Sequence, residues 1–235
     1  VRDGDGKVES LLPLLPGAYH IDTNRFVGFL REVALKRGIH HIDCNIVDVV
    51  VNPSGELLDG LVADDGRRFE FDLYVDSSGF RSLLLEKALG TPFTSFQSSL
   101  FTDRALAFNT PHDGHIKPYT TASTMDSGWC WTIPMVDDDH CGYVYASRFC
   151  SDDAALAEVR RKYPSIGSAR VVQFRSGRHH DMWRGNVAAI GNAYAFVEPL
   201  ESTGLLMICT GIGLLVDALR AGRPNPRLQQ LVNDS

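Results

Sequence analysis

Residues 188–206 read A-A-I-G-N-A-Y-A-F-V-E-P-L-E-S-T-G-L-L, and the fold class follows from this stretch. An apolar run ends at Gly191, a loop containing Pro199 follows, and Ser202 begins a helical pattern that continues to about Arg220. A buried strand that leads through a loop into a helix is typical of α/β proteins. The start of such a helix presents unpaired amides and a partial positive charge, which suit an anion or the polar edge of a ligand.

Glu201 lies beside those amides, in the segment Glu201-Ser202-Thr203-Gly204. Its carboxylate either caps the helix or serves as an acid or base, and the residue pattern alone leaves both interpretations open. Many helices begin with small polar residues and bind no ligand. The functional interpretation therefore needs further motifs.

The rest of the chain predicts a mixed α/β protein in which helices and short strands flank an antiparallel insert. From residue 100 to residue 147, β-branched and aromatic residues alternate as they do in antiparallel strands. The predicted helices cover 23–38, 81–89, 152–161 and 204–220, and the predicted strands cover 46–51, 57–63, 73–75, 119–125, 129–134, 142–147, 170–175 and 187–191.

The composition excludes several classes of protein. The chain has 235 residues, with 23 basic and 29 acidic side chains, and its net charge of −6 argues against a nucleic-acid-binding protein. We find no run of about 18 uncharged apolar residues, so we expect no membrane-spanning helix. The polar first ten residues are unlike a signal peptide. Five scattered cysteines without a C-x-x-C pair indicate neither a disulfide framework nor a zinc site, and they favour a cytoplasmic location.

Five motifs, in the same order along the chain, resemble those of flavin-dependent tryptophan halogenases. Phe196–Gly204 resembles the family segment F-x-E-P-L-E-S-T-G, and Trp129–Pro134 resembles its W-x-W-x-I-P signature. The resemblance extends over roughly residues 19 to 210. The three shorter matches are Y-H-I-D at 19–22, D-S-S-G-F-R at 76–81 and K-P-Y-T at 117–120.

The resemblance implies an α/β fold that is part of the FAD-binding fold of aromatic hydroxylases and halogenases, with an antiparallel sheet on the substrate side. Residues 1–99 would belong to the FAD-binding domain and 100–180 to the substrate-side sheet. Residues 181–235 would form the strand, loop and helix of the flavin and halide site and the start of a C-terminal region. The implied activity, typical of antibiotic biosynthesis, halogenates an indole, phenol or pyrrole with reduced FAD, O₂ and chloride or bromide. A separate flavin reductase would supply the reduced FAD.

The resemblance also assigns site residues by position. Glu201 matches the catalytic glutamate of the family, so we expect it to face the flavin site rather than bulk water. Thr203 and Gly204 match residues whose backbone amides hold the halide. No metal ligand is assigned. The remaining assigned positions are Val47, Asn192, Ser202 and Leu205 beside the flavin, and Trp129 and Trp131, which keep the substrate away from it.

Some of these features also have plain structural interpretations. Trp129 and Trp131 alternate along a strand, so they share one face and also suit a hydrophobic core. The segment Asp76–Gly79 is either a turn at the end of a strand or a contact to the ribose or pyrophosphate of the cofactor. The cluster Asp137–His140 has the side chains of a metal site, but at a hairpin tip such side chains are usually solvated.

The chain also departs from the family. It contains no strand, G-x-G-x-x-G turn and helix to hold the FAD pyrophosphate, and none of its lysines lies in the context of the family's essential lysine. We therefore expect a piece of a longer enzyme that by itself binds FAD weakly and is inactive. An aromatic monooxygenase and a non-catalytic, halogenase-like fragment remain the alternatives.

Overall fold

The computed structural model describes residues 19–112 and 114–234, so the polar first residues lie outside it. The helix predicted from residue 23 begins there because the Asp22 carboxylate accepts hydrogen bonds from two amides of its first turn. The described residues contain four α-helices: α1 (Thr23–Lys36), α2 (Asp152–Lys162), α3 (Gly204–Ala221) and α4 (Pro226–Asn233).

The largest sheet is antiparallel throughout, as the alternating residues predict. One face of it packs against α2, where the Tyr143 hydroxyl donates to Glu158 and the Tyr145 hydroxyl donates to Asp152, each at 2.7 Å. The opposite face is left for the site described below. In spatial order, the strands of this largest sheet, numbered along the chain, are β10 (Ala169–Gln173), β6 (Arg104–Thr110), β9 (Asp139–Tyr145), β8 (Gly128–Pro134) and β7 (Thr121–Met125).

Three smaller sheets surround this one, and only one of their strand pairs is parallel among the described residues. That pair consists of Tyr74–Asp76 (β4) and Val187–Ala189 (β13), and it carries the chain into the loop before α3. Their carboxyl ends lie at the same edge, where the Ile190 amide donates to the Asp76 carbonyl at 3.0 Å. The other strands are β12 (Trp183–Arg184) beside β13, the sheet β1 (Ile46–Val51), β2 (Leu58–Ala63) and β3 (Arg68–Phe69), and the sheet β14 (Ala195–Phe196), β11 (Gly177–His179) and β5 (Phe93–Ser95).

A buried carboxylate organises the end of β4. Asp76 is 1% exposed, and its two oxygens accept four hydrogen bonds at 2.6 to 3.0 Å. The amide and hydroxyl of Ser78 donate to one oxygen, and the amides of Leu84 and Leu85 donate to the other. All of its near donors lie within this chain, which supports the interpretation of 76–79 as a structural turn.

The helix predicted over 81–89 differs from an ordinary α-helix. It consists of a 3₁₀ turn followed by a π-helix, Leu83–Ala88, in which the Lys87 amide donates to the carbonyl of Ser82, five residues back. Ser82 itself is left-handed, with φ of 40°. Because Asp76 draws two amides of the first turn towards itself, the chain enters this segment at an angle that the residue pattern did not predict.

Strand bounds differ slightly from the prediction. The largest shift is at β9, which begins at Asp139 rather than at residue 142, so that Val136, Asp137 and Asp138 form the hairpin tip. The seven-residue strand β6 was not separately predicted within the alternating segment 100–147. The two-residue and three-residue strands β3, β5, β11, β12 and β14 were not predicted either, because a short strand carries too little pattern to distinguish it from a loop.

Among the described residues, α3 is long and apolar enough by length and composition to span a membrane, with 18 residues and a mean hydropathy of 1.7. It contains Asp217 and Arg220, so it is not the uncharged apolar run that the sequence analysis looked for. The polar Thr210 does not interrupt the helix. Its residues Leu215 and Ala218 pack with Met182 and Trp183, so α3 contributes to the core of a folded protein.

We expect Asp76→Asn to lower the free energy of unfolding by about 3 kcal/mol, because an amide group replaces one acceptor oxygen by a donor that faces other donors. Chemical denaturation checks this, with Asp59→Asn at an exposed position of β2 as the control. Equal stability of the two variants would contradict the organising role of Asp76.

Candidate active site

The start of α3 presents backbone amides without partners. The first hydrogen bond of the helix runs from the Met207 amide to the Thr203 carbonyl at 2.9 Å, so the amides of residues 203–206 precede it. Across the described parts of the chain, no side chain caps them. An anion would find free donors and the positive end of the helix dipole here. The other three helices are capped by Asp22, Ser151 and Asn225.

The loop before α3 is held in a strained conformation. Ser202 has φ of 52°, which costs a non-glycine residue about 1–2 kcal/mol. A turn closed by the Ser202 amide and the Pro199 carbonyl at 3.0 Å maintains it. Strain of this kind is concentrated where backbone is fixed for a ligand.

Glu201 is exposed to solvent. The expectation that it is shielded from bulk water is therefore wrong for the residues that the structure describes. Its neighbours Leu200 and Ser202 are exposed as well. In the chain, Glu201 precedes the first residue of α3 by three positions.

Glu198 is a second carboxylate in this loop, and the sequence analysis assigned it no role. It is partly buried, and burial, followed by the negative charge of Glu201, raises its pKa above the ordinary value. Interacting carboxylates with different environments are a common arrangement for moving protons. In the sequence, only the spacing of three residues between Glu198 and Glu201 indicated that the two carboxylates could interact.

Two positions assigned to the flavin come together at α3. Asn192 lies in a 3₁₀ turn after β13, and Leu205 lies in the first turn of α3; both are exposed. The turn approaches the helix closely at Gly191, where an added Cβ would lie 3.0 Å from the Ile208 side chain and φ is 59°. A glycine at this position therefore permits the contact between turn and helix.

Val47 lies at an irregularity of β1. Ile46 pairs with Ala63 and Asp48 pairs with Val62, which leaves Val47 without a partner in β2. Such a bulge turns a side chain away from the regular pleat, and Val47 is 63% exposed. The same strand packs through its other end against the core that includes Ala193 of the 3₁₀ turn.

Trp129 and Trp131 lie on the sheet face opposite α2, as their alternation predicts. Their ring centroids are 6.0 Å apart. Trp131 pairs with Gly142 of β9, and a Cβ at that glycine would overlap the indole ring. The missing side chain therefore allows Trp131 to lie flat across the sheet.

Aromatic contacts join this face to the loop before α3. Phe196 of β14 packs 5.3 Å from Phe174 and 5.1 Å from Phe80, measured between ring centroids. Together with Trp129 and Trp131, these side chains cover one core cluster. The tryptophan pair and the glutamate loop are thus anchored to the same packed unit.

The remaining candidates have structural explanations. Asp138 accepts a hydrogen bond from Asn109 at 2.7 Å and pairs with His140, and no group of three metal-binding side chains occurs in the described residues. His179 is buried between Glu86 and the Tyr194 carbonyl. All five cysteines are free.

Comparisons with known proteins agree on one family. A family model described as tryptophan halogenase matches residues 4–235. KtzR of Kutzneria sp. (strain 744), a 7-chloro-L-tryptophan 6-halogenase, is 38% identical over 226 residues, which cover 94% of this chain and 44% of KtzR.

Solved structures agree with this. MibH, a lanthipeptide tryptophan 5-halogenase, has a TM-score of 0.88 and is 50% identical, with 98% of this chain and 45% of MibH covered. Tar14, a flavin-dependent tryptophan C-6 halogenase from taromycin biosynthesis, has a TM-score of 0.85 and is 36% identical, with 92% of this chain and 44% of Tar14 covered. The chain thus spans less than half the length of the relatives it matches.

We expect the Glu198 carboxyl to titrate above the ordinary range for glutamate, and Glu201→Gln to lower its pKa by removing the nearby negative charge. The decrease should be partial, because burial is the larger cause. Carbon-detected NMR titration of the side-chain carboxyl measures it, and Glu56→Gln on an exposed turn is the control. An unchanged Glu198 pKa in Glu201→Gln would show that the two carboxylates do not interact.

Proposed function

Because the chain belongs to the tryptophan halogenase family, we propose that the natural protein that contains it halogenates the indole ring of tryptophan with reduced FAD, O₂ and a halide. The observation that carries this proposal is the uncapped start of α3, which Glu201 precedes by three residues in the chain. This arrangement combines a place for a halide with a group that handles protons.

The halide would bind to the amides of Thr203 and Gly204. Both amides precede the first hydrogen bond of α3, so they are free to donate to an anion. The left-handed conformation of Ser202 fixes the backbone just before these amides, so halide binding costs little conformational entropy. The proposal includes chloride and bromide equally.

The residues around this point fit the edge of a flavin ring. Asn192 would supply an amide group, Leu205 and Val47 would supply exposed apolar surface, and Ser202 directly precedes the two halide-binding amides in the chain. When bound, reduced FAD supplies the activation of O₂ that turns the halide into an electrophile. A flavin reductase is the proposed source of reduced FAD, and a cytoplasmic location accords with the free cysteines.

Glu201 would orient the halogenating species and accept the proton that leaves the aromatic ring. Its exposure leaves the carboxylate accessible to a substrate that approaches the loop. Glu198 lies in the same loop, and burial, followed by the negative charge of Glu201, raises its pKa above the ordinary value. Trp129 and Trp131 would form the wall that keeps the substrate away from the flavin.

We further propose that the substrate is a tryptophan residue within a peptide. The support is the degree of similarity: this chain is 50% identical to a lanthipeptide tryptophan halogenase and 38% identical to KtzR, which is named for a chlorinated free amino acid. Free tryptophan is the alternative substrate. A monooxygenase is a weaker candidate, since the open halide position has no use in hydroxylation.

We expect the natural protein, supplied with FAD, a flavin reductase, NADH and bromide, to brominate tryptophan-containing peptides with a higher kcat/KM than free L-tryptophan. Glu201→Gln should lower kcat by roughly 100-fold or more, because a positioned acid–base group contributes about that much. Mass spectrometry of the products measures both effects, with Glu56→Gln as the control.

Hydroxylated products in that assay would support the monooxygenase, and the absence of any product would support a non-catalytic protein. Full activity of Glu201→Gln would leave halogenation intact and remove the proposed role of the carboxylate.

We also propose that the 235-residue chain by itself binds FAD weakly and is inactive, since its described residues include no Gly-rich turn between a strand and a helix. Gly211 and Gly213, the nearest approach to such a motif, lie in the middle of α3. Equilibrium titration should give a Kd above about 1 μM, and a submicromolar Kd would contradict this proposal.

A further inference from the structure

A cavity of about 390 Å³ lies between β5, the start of β6 and the end of β10. Its volume is in the range of sites for small organic ligands. None of the residues assigned above to the halide, the flavin or the shielding wall lines it. It is therefore a candidate for a separate binding site.

The walls of the cavity are largely aromatic. Phe80, Phe93 and Phe174 line it, and the rings of Phe80 and Phe174 lie 6.4 Å apart between centroids. Phe174 is 5% exposed, so this wall is fixed by the core behind it. Rigid phenyl rings favour a planar, apolar ligand.

Two hydroxyl groups in the lining have no partner. Among the described residues, three buried side-chain oxygens make no hydrogen bond, and two of them, Ser176 Oγ and Thr102 Oγ1, belong to residues of this cavity. The third, on Thr91, does not. A buried unpaired hydroxyl costs about 1–3 kcal/mol and is uncommon in native proteins. Rotation about χ1 is enough to direct either group towards a ligand.

The cavity lining contains two guanidinium groups, and each is paired with a carboxylate. Arg104 donates through Nη1 to Asp103, whose carboxylate also accepts from Ser147, and Nε and Nη2 of this arginine have no acceptor among the described residues. Arg175 gives both terminal nitrogens to Glu86, and its guanidinium lies 4.2 Å from the Phe93 ring centroid. Arg175 is therefore fully engaged by Glu86, whereas Arg104 keeps nitrogens that can donate to an anionic ligand.

We propose that this cavity binds a small aromatic carboxylate. Its ring would lie against the three phenyl groups, its carboxylate would accept hydrogen bonds from the free nitrogens of Arg104, and Thr102 and Ser176 would supply further donors. The inference is independent of halogenation, because it uses none of the residues proposed for that reaction.

The test is isothermal titration of the 235-residue protein with naphthalene-2-carboxylate. We expect saturable one-to-one binding of the carboxylate and about tenfold weaker binding of the uncharged naphthalene-2-carboxamide. The carboxylate should bind about fivefold more weakly to Thr102→Val and to Ser176→Ala, because each variant loses one hydrogen bond to the ligand. Each substitution removes an unpaired buried hydroxyl, so the Tm should be unchanged or higher, which separates lost binding from lost folding.

Thr91→Val is the matched control, because it removes the third unpaired hydroxyl without touching the cavity, and its affinity should equal that of the unmodified protein. Glu201→Gln should also bind normally, which makes this result distinct from that of the halogenation assay. The absence of saturable binding, equal affinity for the carboxamide, or equal weakening by Thr91→Val would each overturn the proposal.

Discussion

The structure depends on the hydrogen bonds that the buried Asp76 carboxylate accepts at the end of β4. They fix the turn to the π-helix, and that helix packs with β13 in one core cluster. Because β13 runs parallel to β4 and leads directly into the loop before α3, the place where α3 begins is determined by this turn.

The two faces of the largest sheet make different contacts. Tyrosine hydroxyls tie one face to α2, and the opposite face carries the tryptophan pair and the phenyl cluster. Unlike the two faces of the sheet, helix α1 buries none of its apolar residues. Phe29, which lies on the predicted apolar stripe, is 59% exposed. A helix of this kind folds through its Asp22 cap and its own hydrogen bonds, with no apolar face covered among the described residues.

Long periodic segments could be predicted from the sequence, and short or strained ones could not. Residues 23–36 and 204–221 have a helical period over several turns, so their prediction was close. The π-helix was missed because it results from Asp76, a contact between residues that no local pattern reveals. Glu201, Thr203 and Gly204 are assigned to the site by a motif and stay predictions, whereas Glu198 becomes noticeable only when its burial is known. The exposure of Glu201 was predicted wrongly, since adjacency in the chain does not determine what covers a side chain.

Gly142 limits which amino-acid substitutions the large sheet can accept. The indole of Trp131 occupies the space above Gly142, so the Cβ of any other residue at 142 would collide with the ring. A smaller residue at 131 would leave a cavity, which a bulkier residue at 142 could fill. The two positions on adjacent strands therefore form one coupled unit: substitutions at either will be non-additive, and an altered pair is reached more readily by a double exchange than through its single intermediates.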